Sequence, residues 1–231
     1  MTLKAIGFDL DDTLYDRADY YRHIYDLMEK TVVKSGVEFE EFYKVLQYYS
    51  DLEYEKFIRQ GKGKDQYKID RVIDTYKEFG QAISEEVGII FNALYLYYRD
   101  RIEYRRGAEE LLRLTKQKGY ELFVLTNGPS IDQRNKLNQL EINQYIPVDR
   151  WFISDELQSS KPDASIFKKV EESIGYTGDQ ILYIGDNYIN DIEGATQVGW
   201  QSILLDIHQH QGIAEGTQVV QSLEEILKLL K

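Results

Sequence analysis

Four short apolar runs along the chain each end abruptly on polar residues. Ala5-Ile6-Gly7-Phe8 meets Asp9, and Leu122-Phe123-Val124-Leu125 meets Thr126-Asn127-Gly128. Ile181-Leu182-Tyr183-Ile184 meets Gly185-Asp186, and Ser202-Ile203-Leu204-Leu205 meets Asp206. Runs this short, continuous rather than alternating, predict strands buried on both faces, each delivering a polar group at its carboxyl tip. Arg150 to Ser154 is a weaker fifth strand. Helical spacing over Ala108 to Lys118, Ser130 to Leu140, Ile166 to Ile174 and Asp191 to Val198 fills the intervals. Strand and helix in alternation predict an α/β fold, a Rossmann-like parallel sheet with helices on both faces. Ligands of such sheets bind beyond the carboxyl ends of the strands, where three of the runs place polar residues.

From about Arg17 to about Asp100 the pattern changes. No run there reads as a buried strand, and Tyr20, Tyr21, Tyr25, Phe42, Tyr43, Tyr48, Tyr49 and Tyr54 recur at near-helical spacing. The expected organisation is therefore an α/β core of residues 1–16 and 101–231, interrupted after its first strand by a helical insert of residues 17–100. Gly61-Lys62-Gly63-Lys64 is the best turn signal within the insert. Most of the tyrosines are expected to pack helix on helix, although their faces would also suit a stacked base. No internal repeat or low-complexity segment is present.

At 231 residues and 42% apolar content the chain is long enough for a full core. Its formal net charge of -12 argues against a nucleic-acid backbone or an anionic membrane surface as partner. Anion binding would have to rest on a few placed lysines or arginines, on helix N-termini or on a bound cation. The absence of cysteine excludes disulfides and thiolate metal sites. Neither the N-terminal apolar stretch nor Val87 to Tyr98, interrupted by Asn92, is long enough to cross a bilayer. A cytoplasmic location is the simplest reading.

Asp9-Leu10-Asp11-Asp12-Thr13 sets two carboxylates two residues apart beyond a buried strand. Pointing into one cleft they repel each other unless a proton or cation intervenes, which favours a hard ion such as Mg²⁺ with its oxygen ligands. The plain structural alternative is an Asp-rich turn, or a helix cap at Asp11 or Asp12. Thr126 offers a hydroxyl, and nearby backbone N–H groups at an expected helix start, to a phosphate oxygen. Lys161 precedes Pro162, which restricts the local backbone. Asp186 follows a strand and could complete a metal site with Asp9, while Asp191 could cap the next helix or orient a neighbour.

Asp9-x-Asp11-x-Thr13, Thr126 in LTNG, Lys161 in SKPD and Gly185-Asp186 followed by Asp191 occur in the order of the four motifs of the haloacid dehalogenase-like superfamily. The chain resembles its phosphatase branch with a helical cap, over Lys4 to Asp16 and about Arg106 to Asp206. The insert matches only in position and helical character. The resemblance implies a Mg²⁺-dependent phosphatase in which Asp9 attacks phosphorus to form an aspartyl-phosphate. Asp11 would protonate the leaving alcohol and then deprotonate water. Mg²⁺ would be held by the Asp9 side chain, the Asp11 backbone carbonyl and Asp186. Thr126, Asn127 and Lys161 would bind the phosphoryl group. Asp191 and Asn187 would stand behind them, Asp191 holding Lys161 or a metal-bound water. The expected substrate is a small phosphorylated metabolite, with nucleoside monophosphates favoured by likeness to pyrimidine 5′-nucleotidase-type members. The insert would act as a lid hinged near Asp16 and near Asp100 to Tyr104.

Three other functions compete. The 2-haloacid dehalogenases typically carry a non-acidic residue where this chain has Asp11. Phosphosugar mutases usually carry a cap histidine where this chain has Tyr21. A non-enzymatic binding protein on the same fold is the third, and loss of a motif would favour it. The chain also departs from the family in having Arg106-Gly107 where proline often precedes the glycine. Arg105 and Arg106 are either solvated or turned to the cleft, and His23, His208 and His210 match no family role.

Overall fold

The computed structural model describes residues 2–207 and 212–230, and only the backbone at residues 54, 57, 58, 60 and 64. His208 and His210 therefore lie outside the described residues, as does the Tyr54 side chain. The strands are β1 (Ala5–Phe8), β2 (Glu121–Thr126), β3 (Trp151–Ile153), β4 (Ile181–Gly185), β5 (Gln201–Leu205) and β6 (Val219–Val220). The α-helices are α1 (Arg17–Thr31), α2 (Phe39–Gln60), α3 (Lys64–Glu78), α4 (Glu85–Arg99), α5 (Ala108–Gln117), α6 (Ser130–Gln139), α7 (Ser154–Leu157), α8 (Ala164–Ile174), α9 (Gly194–Thr196) and α10 (Leu223–Leu229). None of the described helices is long and apolar enough to cross a membrane.

The strands form one parallel sheet in the order β3-β2-β1-β4-β5-β6. The chain winds outward from β1 through β2 to β3, then returns to the other side of β1 for β4. That reversal leaves a crevice beyond the carboxyl ends of β1 and β4, where doubly wound sheets hold ligands. The fold is the Rossmann-like α/β architecture that the apolar runs predict. Strand β6 is an addition, an edge strand of two residues that is too short to leave a pattern in the sequence.

Packing explains why a glycine sits inside β1. Gly7 pairs with Phe123 on one side and Tyr183 on the other. A Cβ at Gly7 would lie 2.3 Å from Phe123 Cε2 and 2.8 Å from Tyr183 Cδ2. With none there, the two rings close over the strand, their centroids 6.4 Å apart. On the same sheet face Ile166, Phe167, Val170 and Ile174 of α8 bury against Phe123, Leu125, Tyr183 and Trp200.

Glu171 is a buried charge in this apolar layer. It accepts from Trp200 Nε1 at 2.9 Å, Lys168 Nζ at 2.7 Å and the Gly178 amide at 3.2 Å. Burial raises its pKa, but the donors outweigh burial and hold the carboxyl below the usual range. Stability from this group is therefore present above the unfolded carboxylate pKa and lost as pH falls through the lower folded value. Glu171→Leu should destabilise the chain by about 2 kcal/mol at neutral pH, since the Trp200 N–H is left buried and unpaired. Chemical denaturation followed by tryptophan fluorescence checks this, and an unchanged midpoint would refute it.

The contacts divide the chain into two compact units, Met1–Asp16 with Ile102–Lys231, and Arg17–Arg101. The second is helical, built from α1, α2, α3 and α4. Gly61, left-handed at φ 69°, ends α2, and Lys64 opens α3. Its aromatic residues do pack helix on helix: Tyr21 lies 5.3 Å from Tyr43 and 5.7 Å from Tyr95, centroid to centroid. Tyr48, in contrast, is exposed.

Candidate active site

Strand β1 ends at Asp9, whose amide still donates to the Ile184 carbonyl at 2.9 Å, so the ladder fixes the backbone under the carboxylate. Asp9 Oδ1 accepts from Lys161 Nζ at 2.6 Å. Thr13, fully buried, directs its hydroxyl between two carboxylates, 3.4 Å from Asp9 Oδ2 and 3.2 Å from Asp186 Oδ1. Carboxylate oxygens of Asp9, Asp186 and Asp191 lie within 4.8 Å of one another.

Lys161 is buried with its three ammonium protons engaged. It donates to Asp9 Oδ1 and to Asp191 Oδ1, both at 2.6 Å, and to the Tyr183 hydroxyl at 2.9 Å. Tyr183 in turn donates to the Leu125 carbonyl at 2.6 Å. Burial lowers the lysine pKa, yet the Asp191 and Asp9 carboxylates outweigh burial and hold the ammonium well above the usual range. Desolvation pushes the Asp9 carboxyl up to about 7. Lys161 opposes that shift, while Asp191 and Asp11 add to it.

The Asp191 region departs from the expected helix. Tyr188–Glu193 forms a widened π-type turn before α9, and the cap is Asn187, whose side chain accepts from the Asn190 amide at 2.9 Å. Asp191 is not the cap. It points inward, with Oδ1 on Lys161 and Oδ2 accepting from the Asn187 amide at 3.0 Å. Gly185 makes room for it, because a Cβ there would lie 2.3 Å from Asp191 Oδ2. Tertiary demand for the carboxylate thus overrides the local helical pattern.

Thr126 closes β2 and is buried, its hydroxyl accepting from Gln133 Nε2 at 2.5 Å. The amides expected to serve a phosphate nearby are partly committed: Gly128 N–H donates to Ser154 Oγ and Ser130 N–H to Asp155, both at 2.9 Å. Asn127 exchanges two 2.9 Å hydrogen bonds with the Lys161 backbone, so its side chain pins the lysine loop. Pro162 follows across a cis peptide bond.

Asp11 turns its side chain to a different set of partners. Lys136 Nζ donates to both its oxygens, at 2.7 and 3.0 Å, Gln133 Nε2 donates at 3.0 Å, and the Tyr15 hydroxyl donates as well. Lys136 also donates to Gln133 Oε1 at 2.7 Å, which fixes the amide orientation. Gln133, Lys136, Tyr15 and Tyr183 are site residues that sequence reasoning did not single out. One signal existed: Gln133 stands one turn before Leu137 on the buried face of α6, a position where an apolar residue is the norm. Arg105 clamps the loop after β1, donating to the Asp12 carbonyl at 2.9 Å and pairing with Asp16 at 3.1 Å. Arg106 is almost wholly exposed and pairs with Glu224 at 2.7 Å.

Three converging carboxylates present an all-oxygen donor set, which suits a hard divalent cation. A carboxylate raised to about 7 by burial points the same way, since a cation would restore its ionised form.

Residues 3–199 match the family model described as haloacid dehalogenase-like hydrolase. The chain belongs to that family and is a hydrolase. Among relatives of assigned function it is 28% identical to the pyrimidine 5′-nucleotidase PynA of Streptococcus pneumoniae, over 100% of this chain and 96% of the relative. It is 29% identical to a glyceraldehyde 3-phosphate phosphatase of Methanothermobacter thermautotrophicus, over 88% of this chain and 86% of the relative. In fold it is similar to the magnesium-bound HAD-hydrolase YfnB of Bacillus subtilis, with a TM-score of 0.72 and 21% identity over 100% of both chains.

Proposed function

We propose that this hydrolase cleaves small phosphate monoesters through a phosphorylated Asp9, with nucleoside 5′-monophosphates as the substrate class to test first. The observation that carries the reading is the Asp9 carboxylate at the tip of β1, within hydrogen-bond reach of Lys161 and beside Asp186 and Asp191. The nucleotide preference is supported by likeness to the streptococcal nucleotidase across the whole chain.

In this mechanism Asp9 Oδ attacks phosphorus as the ester P–O bond breaks opposite it. Asp11 gives its proton to the departing alkoxide, then takes one from the water that attacks the acyl phosphate, releasing inorganic phosphate and regenerating Asp9. Lys161 and the Thr126 hydroxyl bear on the phosphoryl oxygens as negative charge spreads over them. Asp191, Tyr183 and Asn127 hold Lys161 in place. Asp9, Asp186 and the Asp11 carbonyl would hold Mg²⁺, which when bound offsets the negative charge of carboxylates and phosphoryl oxygens.

A panel of phosphate esters assayed with and without EDTA tests the proposal. Phosphate release from nucleoside 5′-monophosphates and an aryl phosphate is expected with Mg²⁺, lost on chelation and restored by excess metal. A preference for triose or other sugar phosphates by more than about tenfold in kcat/KM would replace the nucleotide assignment. No release from any ester of the panel would overturn the small-phosphomonoester assignment.

Asp11 cannot carry a proton to the leaving group while Lys136 clasps both its oxygens, so α6 must loosen its grip in each turnover. Lys136→Met should therefore change kcat, by about tenfold or more, with KM little affected. Steady-state kinetics on the aryl phosphate decides the matter, and a change confined to KM would place Lys136 in substrate binding instead.

A further inference from the structure

The helical unit contains a buried cation whose hydrogen-bonding capacity is not used up. Arg71 on α3 is buried, its Nε donating to the Lys68 carbonyl at 3.3 Å and its Nη1 to Ser50 Oγ at 3.2 Å. Its Nη2 is buried and, among the described residues, has no hydrogen-bond partner. Burial acts to lower its pKa, and the groups that oppose burial and keep it raised are the phenols Tyr21, Tyr95 and Tyr67, Tyr21 also through a side-chain hydrogen bond to the guanidinium. Phenols are neutral at physiological pH and supply dipoles and π faces without balancing charge.

Two further cations lie nearby, of which Arg99 also pairs with Asp100 at 3.3 Å. The Arg71 guanidinium carbon lies 4.9 Å from the Tyr95 ring centroid and 5.8 Å from that of Tyr21. Lys68 Nζ stands 5.3 Å and the Arg99 guanidinium carbon 5.8 Å from the same Tyr95 ring. Asn92 lies three residues before Tyr95 on α4, and its buried Oδ1 likewise has no partner among the described residues. A buried guanidinium with an unspent donor is strongly unfavourable unless an anion completes it, and its planar fork matches a carboxylate or phosphate group.

We propose that the helical unit binds a small oxyanion, a carboxylate or phosphate group, on the Arg71 guanidinium beside the Tyr95 ring. The site is defined by residues of this unit alone and does not depend on the phosphatase reading.

The test uses the ¹⁵N-labelled full chain in EDTA. The Arg71 Nε–H resonance, assigned by its loss in Arg71→Lys, is followed as sodium phosphate, sodium succinate or sodium chloride is added at matched ionic strength. Phosphate or succinate, and not chloride, should shift it saturably. Saturation by phosphate alone identifies a phosphoryl ligand, and by succinate alone a carboxylate. Calorimetric titration of the same anion into Arg71→Lys, which keeps the charge but loses the fork, should show binding weaker by about tenfold. A resonance that follows chloride equally, one that responds to neither oxyanion, or a lysine variant with unchanged affinity overturns the site.

Discussion

If phosphoryl transfer passes through Asp9 as proposed, Asp9→Asn should abolish turnover, with an expected loss of at least about ten-thousandfold in kcat, because the amide fills the same space but offers no nucleophilic oxygen anion. Stability should move the other way. The folded pKa of Asp9 is raised from 3.8 to about 7, chiefly by burial. The native state thus holds this proton more tightly than the unfolded chain does. A group raised in this way contributes stability that is full below the unfolded pKa and is lost as pH rises through the folded pKa. Between about pH 4 and pH 7 the chain in EDTA should therefore lose stability that Asp9→Asn, with no charge to desolvate, retains. Thermal melts of both proteins across that window, beside phosphate-release assays, check the two halves. Turnover by the asparagine variant would end the aspartyl-phosphate mechanism, and identical pH profiles would show that burial of Asp9 is not the source of the shift.

Much of the sheet was legible because parallel strands buried on both faces leave continuous apolar runs, and β1, β2, β4 and β5 are such runs. The helical insert was legible for the opposite reason, a long stretch without one. Val219–Val220 was not, since two residues give no periodicity and the strand exists only through pairing with Leu204 and Leu205. The helical spacing over Asp191 to Val198 does not reveal that its first residues belong to the distorted turn Tyr188–Glu193, because the distortion answers to a lysine thirty positions away in sequence, a partner no local pattern shows.

The site shows the same division. Asp9, Thr126 and Asp186 announce themselves by ending strands, and a sheet of this winding gathers the β1 and β4 tips at one crevice. Lys136 looks like part of the solvated face of a polar helix, and Gln133 is marked only by its place one turn before Leu137. Only the structure shows them reaching Asp11. Tyr183 reads as one more apolar strand residue. Its hydroxyl becomes meaningful only when Gly7 lets the ring lie close enough over β1 to meet both Lys161 and the Leu125 carbonyl.

Lys161→Met separates the structural and chemical uses of the central ammonium. The variant leaves Asp9 and Asp191 buried near each other without the cation that each contacts at 2.6 Å. Removing one partner of a buried ionic network typically costs about 3–5 kcal/mol, because the remaining charges stay desolvated and uncompensated. Turnover should fall by about a hundredfold to a thousandfold, as the phosphoryl oxygens lose their charged donor. The additional change Asp191→Asn should recover most of the lost stability by removing one carboxylate, yet recover none of the rate. A stabiliser alone would be replaceable in this way, whereas a group that acts on the phosphoryl oxygens is not. Denaturation midpoints and kcat for the single and double variants complete the comparison, and a double variant that regains turnover along with stability would reduce Lys161 to a scaffold for its two carboxylates.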